Sequence, residues 1–119
     1  MIEATTIETA PARTYTIRAP GLDPITLVLQ DLSPSQGRII FGCYGQFWSG
    51  YWGAMGRELS GEPSTVSQFF VSCDNDYLAG CVQRANVTSR RAEKDERAYL
   101  NRILNAVKAG IAVLPLETL

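Results

Sequence analysis

The hydrophobic period changes partway along the chain, and that change restricts the fold more than any single motif does. In the first half apolar residues recur at every second position, the period of a half-buried strand. From Thr14 to Ala19 the residues Tyr15, Ile17 and Ala19 share one face, with Thr14, Thr16 and Arg18 on the other. Pro20-Gly21-Leu22-Asp23-Pro24 is dense in turn residues and ends this strand. Ile25 to Gln30 alternates again, with Ile25, Leu27 and Leu29 inward, and Ser33-Pro34-Ser35-Gln36-Gly37 makes the next turn. A third strand, Arg38 to Tyr44, turns Ile39, Phe41 and Cys43 inward. Gly45-Gln46 separates it from a fourth, Phe47 to Ala54, which is aromatic on both faces and interrupted by Gly50 and Gly53.

In the second half the period becomes helical. Val66, Phe69, Phe70 and Cys73 form a stripe at i, i+3, i+4 and i+7, and Thr65 with Gln68 has the spacing of a capping box. Asp74-Asn75-Asp76 reads as the N-cap of a short helix carrying Tyr77, Leu78, Cys81 and Val82. Beyond the polar linker Asn86-Val87-Thr88-Ser89, the longest helix runs from Arg90 to about Leu114, with Leu100, Leu104, Val107, Ile111 and Leu114 on one side. Glu93 and Arg97 add an i,i+4 pair. Strands first and helices after predict an α+β domain. It is an antiparallel four-stranded meander followed by two or three helices packed on one sheet face. A chain of 119 residues suits one domain, with residues 1–12 a loose N-terminal arm.

Composition removes much chemistry. The chain has no histidine, so the usual general base, the Ser-His and Cys-His pairs and every His-containing metal site are absent. Cys43, Cys73 and Cys81 form no Cys-x-x-Cys pair, and their odd number does not suit a stapled secreted fold; they read as three small buried hydrophobes. Asp74 and Asp76 lack the remaining ligands of a calcium loop, and helix capping accounts for them. Gly42, Gly45, Gly50 and Gly53 are not followed by the Lys-Ser or Lys-Thr of a phosphate loop. The expectation is a protein without catalysis, cofactor or metal. Met1-Ile2-Glu3-Ala4 does not begin a secretory signal, and the longest apolar run, Ala109 to Leu114, is too short for a membrane span. The expected location is therefore the cytoplasm, with no membrane partner.

Binding surfaces carry the remaining signal. Helices on one side leave the other sheet face open, and alternation gives that face Thr14, Thr16, Arg18, Thr26, Val28, Gln30, Arg38, Ile40 and Tyr44. The fourth strand adds either Phe47 and Tyr51 or Trp48 and Trp52, unless it is curled and buried on both faces. Exposed aromatics beside arginine suit protein interfaces and stacking on single-stranded bases. The candidate partner-binding residues are thus Arg38, Tyr44, Trp48, Tyr51, Trp52 and Arg57. A second candidate surface is the basic helix face of Arg90, Arg91, Lys94 and Arg97, which would contact phosphates. Residues 1–83 hold four basic residues against eight acidic, and residues 84–119 seven against four. A net charge of −1 is too small for charge mimicry of DNA, although the acidic first half would suit a basic nucleic-acid channel. A homodimer through the Leu100–Leu114 stripe or the open sheet face is a further, structural possibility.

Leu22-Asp23-Pro24-Ile25-Thr26 and the block from Gly37 to Gly56 resemble a family of small accessory proteins of tailed bacteriophages and prophages. The Cys43-Tyr44 pair and Trp48-Ser49-x-Tyr51-Trp52-Gly53-x-Met55-Gly56 are the most specific pieces of that resemblance. Phe69 to Asp74, Tyr77-Leu78-Ala79 and Ala98 to Ile103 continue it, so it spans most of residues 22–107, with Glu58 to Ser64 longer than the family pattern. The family brings no established activity, so no functional residue carries over. The resemblance implies a mobile-element origin and an inhibitor that binds a bacterial host complex stoichiometrically, a CRISPR effector being one such target. The alternative is a nucleic-acid-binding accessory module, which the acidic pI of about 5.4 disfavours.

Overall fold

The structure, a computed structural model, describes residues 5–82 and 90–114, with side chains in the last helix from Lys94 onward. Four strands, β1 (Arg13–Ile17), β2 (Ile25–Ser33), β3 (Gln36–Cys43) and β4 (Gln46–Trp52), form one antiparallel sheet in the order β1-β2-β3-β4. Three helices follow: α1 (Val66–Ser72), α2 (Asn75–Val82) and α3 (Arg90–Ala112). This is the α+β meander that the change of period predicts. Residues 5–12 are exposed and hold no regular element, as expected of an arm. The linker Asn86–Ser89 and the side chain of Glu93 lie outside the described residues.

The inward set of each strand follows the alternation. Ile25, Leu27, Leu29, Ile39, Phe41 and Cys43 are buried, and Tyr15 and Ile17 pack against them from the edge. The helices close over this face, α3 above β1 and β2, α1 above β2 and β3, and α2 above β4. Val66, Phe70, Leu78, Ala79, Val82, Leu100, Leu104, Val107 and Ile111 supply the other half of the core, together with Ile103. The Leu100-to-Ile111 side of α3 is therefore occupied by the sheet, which withdraws it as a dimer interface.

Fold and expectation part company at three places. Trp48 and Trp52 are buried, at 3% and 8% exposure, while Phe47 and Tyr51 point outward. Trp48 stacks on Phe41 at 5.9 Å and meets Tyr99 at 6.0 Å; Trp52 meets Phe69 edge-on at 5.3 Å. The larger indoles win the covered face because they bury more apolar area, so neither tryptophan belongs to the open surface. The second difference is on α2, whose buried stripe is Leu78, Ala79 and Val82. That stripe is rotated toward Ala79 and leaves Cys81 exposed and Tyr77 half exposed, so the cysteines are not three buried hydrophobes. Cys43 is buried and Cys73 is intermediate.

The third concerns Asp31, which sequence reasoning passed over. Alternation puts it on the inner side of β2 opposite Gly37. A Cβ at Gly37 would lie 2.6 Å from Val66 Cβ, so glycine there lets the start of α1 sit against the sheet end. Asp31 Oδ1 accepts the backbone N–H of Val66 at 2.7 Å, while Oδ2 takes Arg13 at 2.9 Å. The Thr65–Gln68 capping box forms as expected and satisfies two further donors. Asp31 thus ties the sheet to α1 across 35 residues of sequence.

Asp31→Ala should destabilise the fold by about 1–2 kcal/mol, since it strips a helix N-terminus of a charged acceptor. Arg13→Ala, which removes only a half-exposed ion pair, should cost less than about 1 kcal/mol. Urea denaturation of both variants tests this, and equal losses would contradict it. Burial and a hydrogen bond with Cys43 raise the Tyr99 phenol above 10.0, and burial raises the Cys73 thiol above 9.0. Both groups hold their protons more tightly folded than unfolded. Their contribution is complete below the unfolded values and is lost as pH rises through the folded ones. Urea midpoints should accordingly hold steady on their account to about pH 9 and then fall. Tyr99→Phe should flatten the part of that fall above pH 10.

Candidate functional site

The uncovered face is built by strand register. Thr14, Val28, Ile40 and Ser49 lie in one row across the four strands, and Thr16, Thr26, Gly42 and Phe47 in the next. A third row runs Gln30, Arg38, Tyr51. The exposed aromatics gather toward β4: Phe47 is 38% and Tyr51 56% exposed, and Tyr44 at the β3–β4 turn reaches 74%. Gly42 is needed beside Phe47, because a Cβ there would meet the Gln46 carbonyl oxygen and lie 2.7 Å from Phe47 Cα. Arg38 stands directly across from Tyr51, and its guanidinium reaches Gln30 Oε1 only at 3.4 Å, a long bond that leaves most of its donors for a partner. The patch pairs aromatic faces with a planar cation, the composition of interface anchors.

Tyr44 carries a conformational cost. It occupies φ 52, the left-handed region, where a bulky side chain is disfavoured by about 1–2 kcal/mol. Its neighbour in the two-residue turn is Gly45, the residue type better suited to that region. A tyrosine held at that turn position and projected into solvent does not serve packing.

Of the residues named from sequence, Arg38 and Tyr51 share a row and Tyr44 stands at the tip of the same hairpin. Trp48 and Trp52 are removed from the set by burial, and Phe47, one of the two alternatives for β4, takes their place. Arg57 lies outside the sheet: its guanidinium donates to the Gly61 carbonyl at 2.7 Å. It belongs to the 57–63 turn, which an Arg57–Pro63 bridge and the Glu58 N–H to Glu62 carbonyl bond close. Together with the Ser64 N–H to Gly56 carbonyl bond, it encloses Glu58 to Ser64, the segment longer than the family pattern, which folds on itself.

The basic helix face is on the other layer. Arg90 and Arg91 are in the first turn of α3, with side chains outside the described residues; Lys94 is exposed and Arg97 partly buried. Because α3 packs against the inner sheet face, Lys94 and Arg97 belong to the helical layer and the outward aromatics to the opposite side of the sheet. That separates the two components a nucleic-acid module would combine. Asp74 accepts the Tyr77 N–H at 2.8 Å and caps α2, as its position implied. Among the described residues no three His, Cys, Asp or Glu side chains gather to hold a metal, and no helix is long and apolar enough to cross a membrane.

A family model described as a phage family matches residues 5–112 of the chain. No curated protein and no solved structure matches it.

The strain at Tyr44 can be measured directly. Tyr44→Asn keeps a residue that tolerates left-handed backbone and removes the exposed ring. It should stabilise the protein by about 0.5–1 kcal/mol in urea denaturation, on the scale of other relieved backbone mismatches. A loss of stability would mean that the ring packs productively after all.

Proposed function

The chain belongs to this phage family, which makes it a phage protein by descent, and from that premise we propose that it acts on the bacterial host by binding. The proposed action is stoichiometric inhibition of a host defence complex, with CRISPR effectors as the target class, and no chemical step. The observation that supports this reading best is the row of Arg38 and Tyr51 beside Phe47 on a sheet face that no described element covers, with the strained Tyr44 at its tip. Hydrogen-bonded strands present these side chains from a backbone that is already ordered, which lowers the entropy lost on binding. Arginine and tyrosine are the residue types that most often dominate interface energies. The expected site of action is the host cytoplasm.

The test couples a biological readout to the surface. The protein is expressed in a bacterium whose CRISPR system restricts a targeted phage, and plaque formation is scored. Inhibition should raise plaquing by orders of magnitude. An Arg38→Ala/Tyr51→Ala double variant should bind the purified effector at least about 30-fold more weakly, the loss of one strong anchor. Both residues are exposed, so the variant should keep the far-ultraviolet dichroism of the parent. Unchanged plaquing across a panel of defence systems would overturn the inhibitor reading. Binding that survives only with nucleic acid present and falls steeply with salt would replace it with the nucleic-acid module.

A further inference from the structure

We propose that the protein forms a symmetric dimer through β4, with Ser49 of each copy on the two-fold axis, joining two four-stranded sheets into one of eight strands. The starting point is the edge itself. β4 ends the sheet, and among the described residues no strand pairs with its outer side. The two-residue turn Tyr44-Gly45 joins Cys43 and Gln46, which face each other in register. In such a hairpin the flanking pair exchanges hydrogen bonds, and the pattern then alternates along the ladder. Gln46, Trp48, Gly50 and Trp52 consequently turn their backbone groups toward β3. Phe47, Ser49 and Tyr51 turn theirs to the free edge.

An exposed edge is normally blunted by charge, proline or a bulge. The other edge strand, β1, is guarded this way: it contains Arg13, is followed by Arg18, and is bracketed by Pro11 and Pro20. β4, Gln46 to Trp52, contains no charge, no proline and no bulge. Its pattern is also self-complementary. Antiparallel pairing about Ser49 puts Phe47 of one copy opposite Tyr51 of the other, twice. It puts Gly50 opposite the bulky Trp48 and makes the outward-turned residues the hydrogen-bonded ones. Pairing like-numbered faces in this way keeps both helical layers on the same side of the joined sheet.

Charge allows the second copy as occupant. No Asp, Glu, Lys or Arg lies on β4, so no carboxylate, ammonium or guanidinium of this strand is brought against its own copy. The two Arg38 side chains would stand roughly 20 Å apart, from three inter-strand intervals of about 4.8 Å combined with a four-residue offset of about 3.4 Å per residue along the strands. That exceeds the Debye length of about 8–10 Å. Each Arg38 instead comes to flank an aromatic row of Tyr51 and the second copy's Phe47. A seven-residue edge is small beside the roughly 1,200 Å² at which stable interfaces begin, so the dimer should depend on concentration.

Sedimentation velocity over a wide concentration range tests the proposal without any host component, so its outcome is independent of the inhibitor reading. The wild-type protein should shift from monomer to dimer as concentration rises. Ser49→Lys and Ser49→Glu, both at an exposed position, should each raise the dimer dissociation constant at least tenfold by opposing like charges on the axis. An equimolar mixture of the two should recover association as a heterodimer. Unchanged far-ultraviolet dichroism in each variant secures the comparison. A wild type that stays monomeric at every concentration overturns the proposal and leaves the edge for a strand of another protein. A dimer indifferent to Ser49→Lys, or a mixture that does not associate, overturns it equally.

Discussion

Two indoles on an edge strand organise this protein. Trp48 and Trp52 both point to the inner side of β4, and each is almost wholly buried. Covering a tryptophan is worth on the order of 5 kcal/mol as an upper bound from its area. Without α2 and the neighbouring part of α1 above β4, both rings would face water. The helical layer must therefore reach the last strand. It does so through Phe69 and Phe70, which meet Trp52 and Phe41 edge-on, and through Tyr99 of α3 against Trp48. Once the tryptophans are inward, strand alternation leaves no choice for Phe47 and Tyr51. The exposed aromatic face is the geometric complement of the core.

The covering layer is held in place by polar contacts at its ends. Asp31 and the Thr65–Gln68 box fix the start of α1, Asp74 caps α2, and Lys108 of α3 donates to the Cys73 carbonyl between α1 and α2. Arg102 reaches from α3 to the Gly21 carbonyl in the β1–β2 turn. Each satisfies a backbone group that a short helix or tight turn leaves unpaired. Helices of seven and eight residues do not persist in water alone, so these contacts and the apolar stripe beneath them act together.

The sequence makes the architecture readable because its strongest signals are periodic. Alternation places every buried apolar residue of β2 and β3 correctly, and the capping box and Asp74 mark the starts of α1 and α2. What it hides is whatever depends on competition between similar groups or on distance in the chain. Both faces of β4 are aromatic, so periodicity cannot rank them; relative size does, and only against a real core. Cys81 sits one position off a stripe whose phase is set by Ala79, a residue too small to weigh in the pattern. Asp31 looks like a polar strand end until Val66 arrives from 35 residues away. The left-handed Tyr44 is invisible for a related reason, since Gly45 beside it offers the easier site for the same turn.

These residual features share a direction. A fold selected for stability alone would put glycine or asparagine at position 44 and a lysine or proline somewhere on β4, both of which cost little and protect the monomer. This chain has a strained, exposed tyrosine at the tip and an uncharged aromatic edge beside it. Departures from local rules concentrate where a protein meets something else, because only a gain made on binding offsets a cost carried in the free state. Here the exposed Tyr44 and the uncharged edge fall on one hairpin, β3–β4, while Ser35 at φ 62 is a further left-handed residue in the β2–β3 turn. The opposite edge, β1, obeys the rules with flanking prolines and arginines. The asymmetry between the two edges of one small sheet is a stronger physical ground for the proposed binding at β4 than the composition of either edge alone.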